Sequence, residues 1–174
     1  MVLALLGCGG SDGASKEVSV SSVDWQETTR IEYRYGDSSV APDYHRSYVI
    51  TITDSIKTIA VDSYGDVLLT RQYSNTPSDF QTFKEKLSKK GIKKHKEKDS
   101  GGCSGGTSET LRLYKADEMF FDAYVYHCSG ESGTLFLPGG TAELIQSQLP
   151  ESVDSLIGSA RFCVGVPDYK RMVQ

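Results

Sequence analysis

The chain has 174 residues, of which 38% are hydrophobic and 24% are charged. This composition excludes a disordered chain and a chain made of membrane spans, and the length favours one soluble domain with its own core. The net charge of −4 is uneven, because residues 84–98 hold eight Lys and two Glu, a local charge of +6. Since this basic segment contains no aromatic residue and the rest of the chain is acidic, we expect no nucleic-acid partner.

The first residues, MVLALLGCGG, are interpreted as a targeting segment rather than as part of the folded domain. Residues 2–6 are apolar but far shorter than the ~20 residues of a spanning helix. The order Leu5-Leu6-Gly7-Cys8 resembles the lipobox of bacterial lipoproteins. The resemblance implies that residues 1–7 are the remnant of a signal peptide and that Cys8 is acylated. It also implies a lipid anchor in the cell envelope, with the outer membrane favoured by Gly9.

The rest of the chain is expected to form three parts. Residues 8–24 carry the lipid and a flexible tether, because GGSDGASKE is polar and rich in glycine. Residues 25–160 form a single α+β domain, since alternating and helical patterns fill this range. Residues 161–174 show no clear pattern and are expected to be an irregular tail.

Four strands are predicted first, because apolar and polar residues alternate with a period of two. They cover about residues 29–35, 46–53, 56–61 and 67–73. The last two flank Ser63-Tyr64-Gly65-Asp66, which has the composition of a hairpin turn. Short links between consecutive strands favour a meander.

A helix is predicted next, with Thr76 as the N-cap and Pro77 at its first position. We expect its lysines, Lys84 included, to lie in solvent with the rest of the basic segment. The core-facing stripe and the residue that ends the helix are Phe80, Phe83, Leu87 and Gly91.

A second hairpin is predicted from residues 111–115 and 120–128, and a second helix from residues 141–149. Pro150 ends that helix, and Val153, Leu156 and Ile157 suggest one or two further helical turns. Residues 92–98 and 134–137 have weaker strand character. The order predicts an α+β fold: an antiparallel sheet of six to seven strands with two helices mainly on one face and the other face wet. The arrangement resembles the small envelope lipoproteins of Gram-negative bacteria.

The cysteines are expected to be structural. In an exported protein two neighbouring cysteines favour a disulfide, and around the second hairpin Cys103 falls nearly opposite Cys128. We therefore predict a Cys103–Cys128 disulfide. Cys163 is expected to be buried and inert, and a disulfide that involves Cys163 is the alternative.

The groups that could carry chemistry do not assemble into a reactive set. His45, His95 and His127 lack metal-ligand spacing, so no metal or cofactor is expected. Asp122, in an otherwise apolar strand, is assigned to the wet face of the sheet. Because no nucleophile, base and orienting group come together, we predict a protein that is not an enzyme, and keep an enzyme of unknown class as a third hypothesis.

The leading hypothesis is a monomeric binding module that holds an envelope protein or a glycan on its sheet face. Tyrosines suit such wet binding surfaces. The alternative is an envelope inhibitor of a hydrolase such as lysozyme, because Tyr126-His127-Cys128-Ser129-Gly130 resembles the strand-end Tyr-x-Cys pattern of small lipoproteins that block lysozyme. The candidate contact residues are Tyr33, Tyr35, Tyr48, Tyr124 and Tyr126.

Overall fold

The structure, a computed structural model, describes residues 21–99 and 104–163. Within these ranges the chain forms nine strands and three helices. The strands are β1 (Ser21–Ser22), β2 (Arg30–Gly36), β3 (Ser47–Thr53), β4 (Ile56–Ser63), β5 (Asp66–Ser74), β6 (Lys93–Lys98), β7 (Thr107–Lys115), β8 (Glu118–His127) and β9 (Glu131–Phe136). The helices are α1 (Pro77–Ser88), α2 (Thr141–Gln146) and α3 (Val153–Cys163).

The strands join one antiparallel sheet in the order β1-β6-β9-β8-β7-β2-β3-β4-β5. Strands β2 to β5 form the predicted meander, and β7 and β8 form the predicted hairpin, which packs beside β2. The prediction of six to seven strands is too low. Strand β1 is only two residues long, pairs with β6 and lies within the segment predicted as tether, so the tether prediction is wrong for Ser21 and Ser22.

One face of the sheet carries the core. The register aligns Tyr33 with Ile50 and Leu111, and Ile50 with Ile59, so these side chains lie on the same face. They belong to one buried cluster with residues of all three helices. We call this the covered face. The opposite, open face carries the intervening residues, which include Glu32, Thr51, Thr58, Arg112 and Asp122.

The helix prediction is correct in type but too low in number. Helix α3 follows Pro150 and buries Val153 and Leu156 in the core. It also continues to Cys163, so the predicted irregular tail is wrong for residues 161–163. The one or two turns predicted at Val153, Leu156 and Ile157 are in the right place, but the helix is longer, with 11 residues.

Helix α1 begins as the sequence predicts. Thr76 Oγ1 accepts a hydrogen bond from Asp79 N at 3.1 Å, and Pro77 occupies the first turn. The chain leaves the helix after Lys89 and turns at Gly91, whose φ of +75° favours glycine.

The expectation that Lys84 lies in solvent is wrong. Its side chain is buried, and Nζ donates hydrogen bonds to Thr28 O at 3.1 Å and to Gln26 O at 3.4 Å. Lys84 follows Phe80 by one helical turn and precedes Leu87 by another, so helical geometry places it on the apolar stripe. Its ammonium group links α1 to the segment before β2.

Candidate binding surfaces

The five tyrosines proposed as contact residues do not share one surface. Tyr33 and Tyr48 lie in the core of the covered face, with 1% and 4% of their surface exposed, so they are not contact residues. Tyr35 stacks on Tyr48 with ring centroids 5.2 Å apart and is half-buried. Their alternation with apolar β-strand residues puts them under the helices. Only Tyr124 and Tyr126 lie on the open face.

Each buried tyrosine has a side-chain hydrogen bond. Gln146 Nε2 donates to the Tyr48 hydroxyl at 2.8 Å, and the Tyr48 ring lies beside the Tyr33 ring, with centroids 6.3 Å apart. Tyr33 donates to Glu109 Oε2 at 2.7 Å, and His127 Nε2 lies 2.9 Å from Glu109 Oε1. Burial raises the pKa of Tyr48 to about 12 and raises the pKa of Tyr33 above its ordinary value. Both phenols are therefore neutral hydrogen-bonding groups: Tyr48 connects α2 to β3, and Tyr33 connects β2 to β7.

The Glu109–His127 pair does not have the surroundings of a catalytic base. One ring nitrogen of His127 is bonded to Glu109, and the other lies 3.9 Å from Glu131 Oε1. A general base that activates a nucleophile keeps one ring nitrogen for that nucleophile. Here both nitrogens face carboxylates, so the arrangement holds the histidine in place at the end of β8.

Tyr124 and Tyr126 line a groove on the open face. The groove has a volume of about 590 Å³, and its other lining residues are Glu97, Lys98, Asp99 and Ser132. Tyr124 is 40% exposed. The groove therefore combines two aromatic rings with acidic, basic and hydroxyl side chains, and it is within the 300–1,000 Å³ typical of ligand sites.

Local backbone features create this groove. Gly133 has a φ of +107°, and a Cβ there would lie 2.4 Å from Tyr124 O and 3.0 Å from its ring, so only glycine lets the tyrosine lie against β9. The pairing of β6 with β9 is irregular, because Lys94 pairs with Leu135 and the next pair is Lys98 with Gly133. Between these two pairs β6 has two more residues than β9. The opposite wall is formed by Glu97, which lies within this irregularity, and by Lys98 and Asp99, which follow it. Glu97 Oε1 accepts a hydrogen bond from the Tyr124 hydroxyl at 2.6 Å.

The remainder of the open face carries a ladder of charges. Arg112 lies between Glu32, at 3.1 Å, and Asp122, at 3.3 Å, so that one ion-pair group crosses β2, β7 and β8. Arg30 places its guanidinium 3.8 Å from the ring centroid of Tyr114. The assignment of Asp122 to the wet face is confirmed, and its partner is a cation rather than a reacting group.

A second exposed surface lies where β2 joins β3 and β4 joins β5. We call residues 37–46 and 63–67 the tip. It carries large apolar side chains in solvent, with Tyr44 69% exposed and Tyr64 56% exposed, next to exposed Val40 and Val67. Sequence reasoning missed this surface, although Tyr64 before Gly65, where hairpin turns prefer Asn or Asp, was an available signal.

Two buried polar side chains hold the tip together. The Arg46 guanidinium donates to three main-chain carbonyl oxygens, those of Pro42 (3.2 Å), Asp43 (3.0 Å) and His45 (2.6 Å). The His45 ring stacks on Tyr64 with centroids 3.8 Å apart, and its Nδ1 accepts from Tyr64 N at 3.3 Å. The tip is therefore built from interactions of its own and has a defined shape.

Of the two cysteines predicted to form a disulfide, the structure describes only Cys128. Cys128 is disulfide-bonded, and its Sγ lies 3.7 Å from the carbonyl oxygen of Ser104, the residue after Cys103. Cys8 and Cys103 lie outside the described residues, so the acylation of Cys8 and the Cys103–Cys128 pairing both stay predictions.

Comparisons with known proteins do not assign the chain to a group. No protein-family model, curated protein or solved structure matches it. Within residues 21–99 and 104–163, none of the helices has both the length and the apolar character of a membrane crossing. Across the same ranges, no three His, Cys, Asp or Glu side chains come together as a metal site. Function has to be inferred from the geometry alone.

Proposed function

We propose that the protein is a non-enzymatic binding domain, anchored in the cell envelope through a lipid on Cys8, and that it binds a glycan chain in the groove beside Tyr124. The observation that carries the proposal is the groove itself, in which two tyrosines lie beside carboxylates and a hydroxyl group. The resemblance of residues 5–8 to a lipobox supports the anchor, and Gly9 after the cysteine supports the preference for the outer membrane.

The groove fits a glycan by its chemistry. One side of a sugar ring presents C–H groups, which pack against the face of an aromatic ring, and the ring edge presents hydroxyls that donate to carboxylates. Tyr124 and Tyr126 supply the rings, and Glu97, Asp99 and Ser132 supply the polar groups. The groove is open to solvent rather than enclosed.

The charged residues favour binding over catalysis. Asp122 is paired with Arg112, and His127 is held between two carboxylates. An acid or base that must exchange a proton with a substrate needs an accessible position and a pKa suited to the reaction. These groups instead stabilise the sheet, which supports a role without chemistry.

A sedimentation assay with purified peptidoglycan sacculi tests the glycan proposal. The chain with Cys8→Ser, which keeps it free of membrane, should bind the sacculi, and Tyr124→Ala should weaken binding at least about tenfold, or about 1.4 kcal/mol. Tyr44→Ala is the matched control, because it removes an exposed tyrosine from the tip instead. Equal effects of the two substitutions would contradict the proposal.

A competition arm separates a glycan from an envelope protein as the ligand. Soluble glycan strands released from the sacculi should displace the bound domain. If they do not, while protein attached to the sacculi does, the partner is a protein and the glycan proposal is wrong. The anchor is tested separately: an alkyne fatty acid should label the wild type in cells and fail to label Cys8→Ser.

A further inference from the structure

The tip presents a surface that the groove does not use. Every residue from 39 to 44 and every residue from 64 to 67 is exposed. The first run lies in the connection from β2 to β3, and the second lies in the turn from β4 to β5 and at the start of β5. Side chains exposed on two adjacent loops contact a flat surface on one side only, whereas inside a concavity they are contacted from several sides. A cleft is therefore the kind of surface that would bury most of them.

The charge of the tip indicates which charge the partner's cleft should carry. Asp43 and Asp66 are exposed, whereas the two exposed runs contain no Lys or Arg. The cation of the tip, Arg46, is buried and bonded to carbonyl oxygens. An acidic surface repels a second copy of itself and an anionic membrane, and it attracts a cationic protein.

The tip is also pre-organised. Ser63 Oγ donates to Pro42 O at 2.8 Å, and the Tyr64 hydroxyl donates to Val40 O at 2.6 Å, so the two segments of the tip are bonded to each other. Tyr64 has a φ of +52°, which is unfavourable for a bulky side chain. Rigid aromatic groups that are already in position lose little conformational freedom on binding.

We infer that the tip is a docking surface for the cleft of a cationic protein, with Tyr44 and Tyr64 as the inserted aromatic residues. Asp43 and Asp66 steer the approach and meet basic groups at the rim of the cleft. This inference does not depend on the glycan groove, which lies at the other side of the sheet order, in β6, β8 and β9. It gives the hydrolase-inhibitor hypothesis a structural basis, because a cleft filled by a protein loop is closed to substrate.

Binding to a panel of animal lysozymes, which are cationic and have an open cleft, tests the inference. The chain with Cys8→Ser should bind at least one of them, and a chito-oligosaccharide that occupies the cleft should compete with it. Tyr44→Ala should weaken binding at least tenfold, while Tyr124→Ala, the matched control in the groove, should leave it unchanged. Asp43→Asn should slow association and reduce its salt dependence.

Two results would overturn the inference. The first is Kd above about 1 mM for every lysozyme of the panel. The second is equal binding to the free cleft, to the blocked cleft and to polylysine, which would show charge attraction only. Tyr44 is 69% exposed, so Tyr44→Ala is expected to fold, and circular dichroism checks this. Asp43→Asn, which also changes an exposed side chain, serves as the second variant, because substitution of Tyr64 would remove contacts that hold the tip together. Sacculus binding by the same variants reports separately on the groove.

Discussion

Replacing Arg46 with leucine tests the claim that the tip is a built structure. The side chain is 4% exposed, and its guanidinium donates to three carbonyl oxygens of the loop that carries Tyr44. Its Nε has no hydrogen-bond partner among the described residues. Arg46→Leu keeps an apolar stem but leaves the three carbonyl oxygens without this donor.

The expected loss follows from two opposing terms. Each hydrogen bond to a charged group contributes about 1.5–3 kcal/mol, whereas removal of a buried charge recovers several kcal/mol of desolvation. Water that enters the loop satisfies part of what remains. We therefore expect Arg46→Leu to lower the free energy of unfolding by about 2–3 kcal/mol, which is larger than the effect of an ordinary surface substitution.

Urea unfolding followed by circular dichroism measures this loss. With a slope near 2 kcal/mol/M, the midpoint should fall by about 1–1.5 M. Arg71→Leu is the matched control, because Arg71 is exposed and its NH1 contacts only the neighbouring Thr70 O at 3.1 Å among the hydrogen bonds described for it. A midpoint shift equal to that of the control would refute the assignment of Arg46 as the centre of the tip.

Three further substitutions test the core and the groove. Lys84→Met should lower the free energy of unfolding by about 2 kcal/mol, because two carbonyl oxygens lose their donor, while Lys86→Met on the exposed side should stay within about 0.5 kcal/mol. Gly133→Ala should cost at least about 2 kcal/mol, since its Cβ would lie 2.4 Å from a carbonyl oxygen at a φ of +107°; Gly139→Ala, with nothing within 4 Å, is the control. In alkaline urea titrations, stability should fall as pH rises from 10 towards 12, because the unfolded chain ionises Tyr48 near 10.0 and the folded chain only near 12. The free energy of unfolding should fall by about 1.4 kcal/mol per pH unit because of this group. Tyr48→Phe removes the ionising hydroxyl, so this part of the fall should be absent in the variant.

The residue pattern within a short segment was sufficient to predict the strands and the helix start that depend mainly on that segment. Alternation of apolar and polar residues predicts β2 to β5, and Thr76 with Pro77 predicts the start of α1. Order along the sheet is different, since β7 lies beside β2 and β6 beside β9 through contacts between residues far apart in the chain. No pattern inside one strand specifies such a neighbour.

The errors at candidate residues have a common cause. Tyr33 and Tyr48 share the parity of apolar neighbours, and Lys84 shares the helical spacing of Phe80 and Leu87, so position alone predicts burial for all three. The polarity of these side chains led to the prediction that they are exposed, which is wrong. A long side chain can be buried when its polar end has a hydrogen-bond partner. The parity of Tyr124, opposite to that of the buried residues in β8, already indicated the open face.

The tip concentrates features that oppose folding. Tyr64 adopts a left-handed conformation, and Arg46 is a buried cation. The hydrogen bonds described for its guanidinium all go to carbonyl oxygens, while its main-chain N–H donates to Asp37 Oδ2 at 2.8 Å. Asn or Gly at position 64 would make the same turn with less strain, but neither would supply the hydroxyl that donates to Val40 O at 2.6 Å or the ring that stacks on His45. These two contacts offset part of the strain at Tyr64. They also fix the orientation of a ring that is 56% exposed, which is the orientation that the proposed docking surface requires.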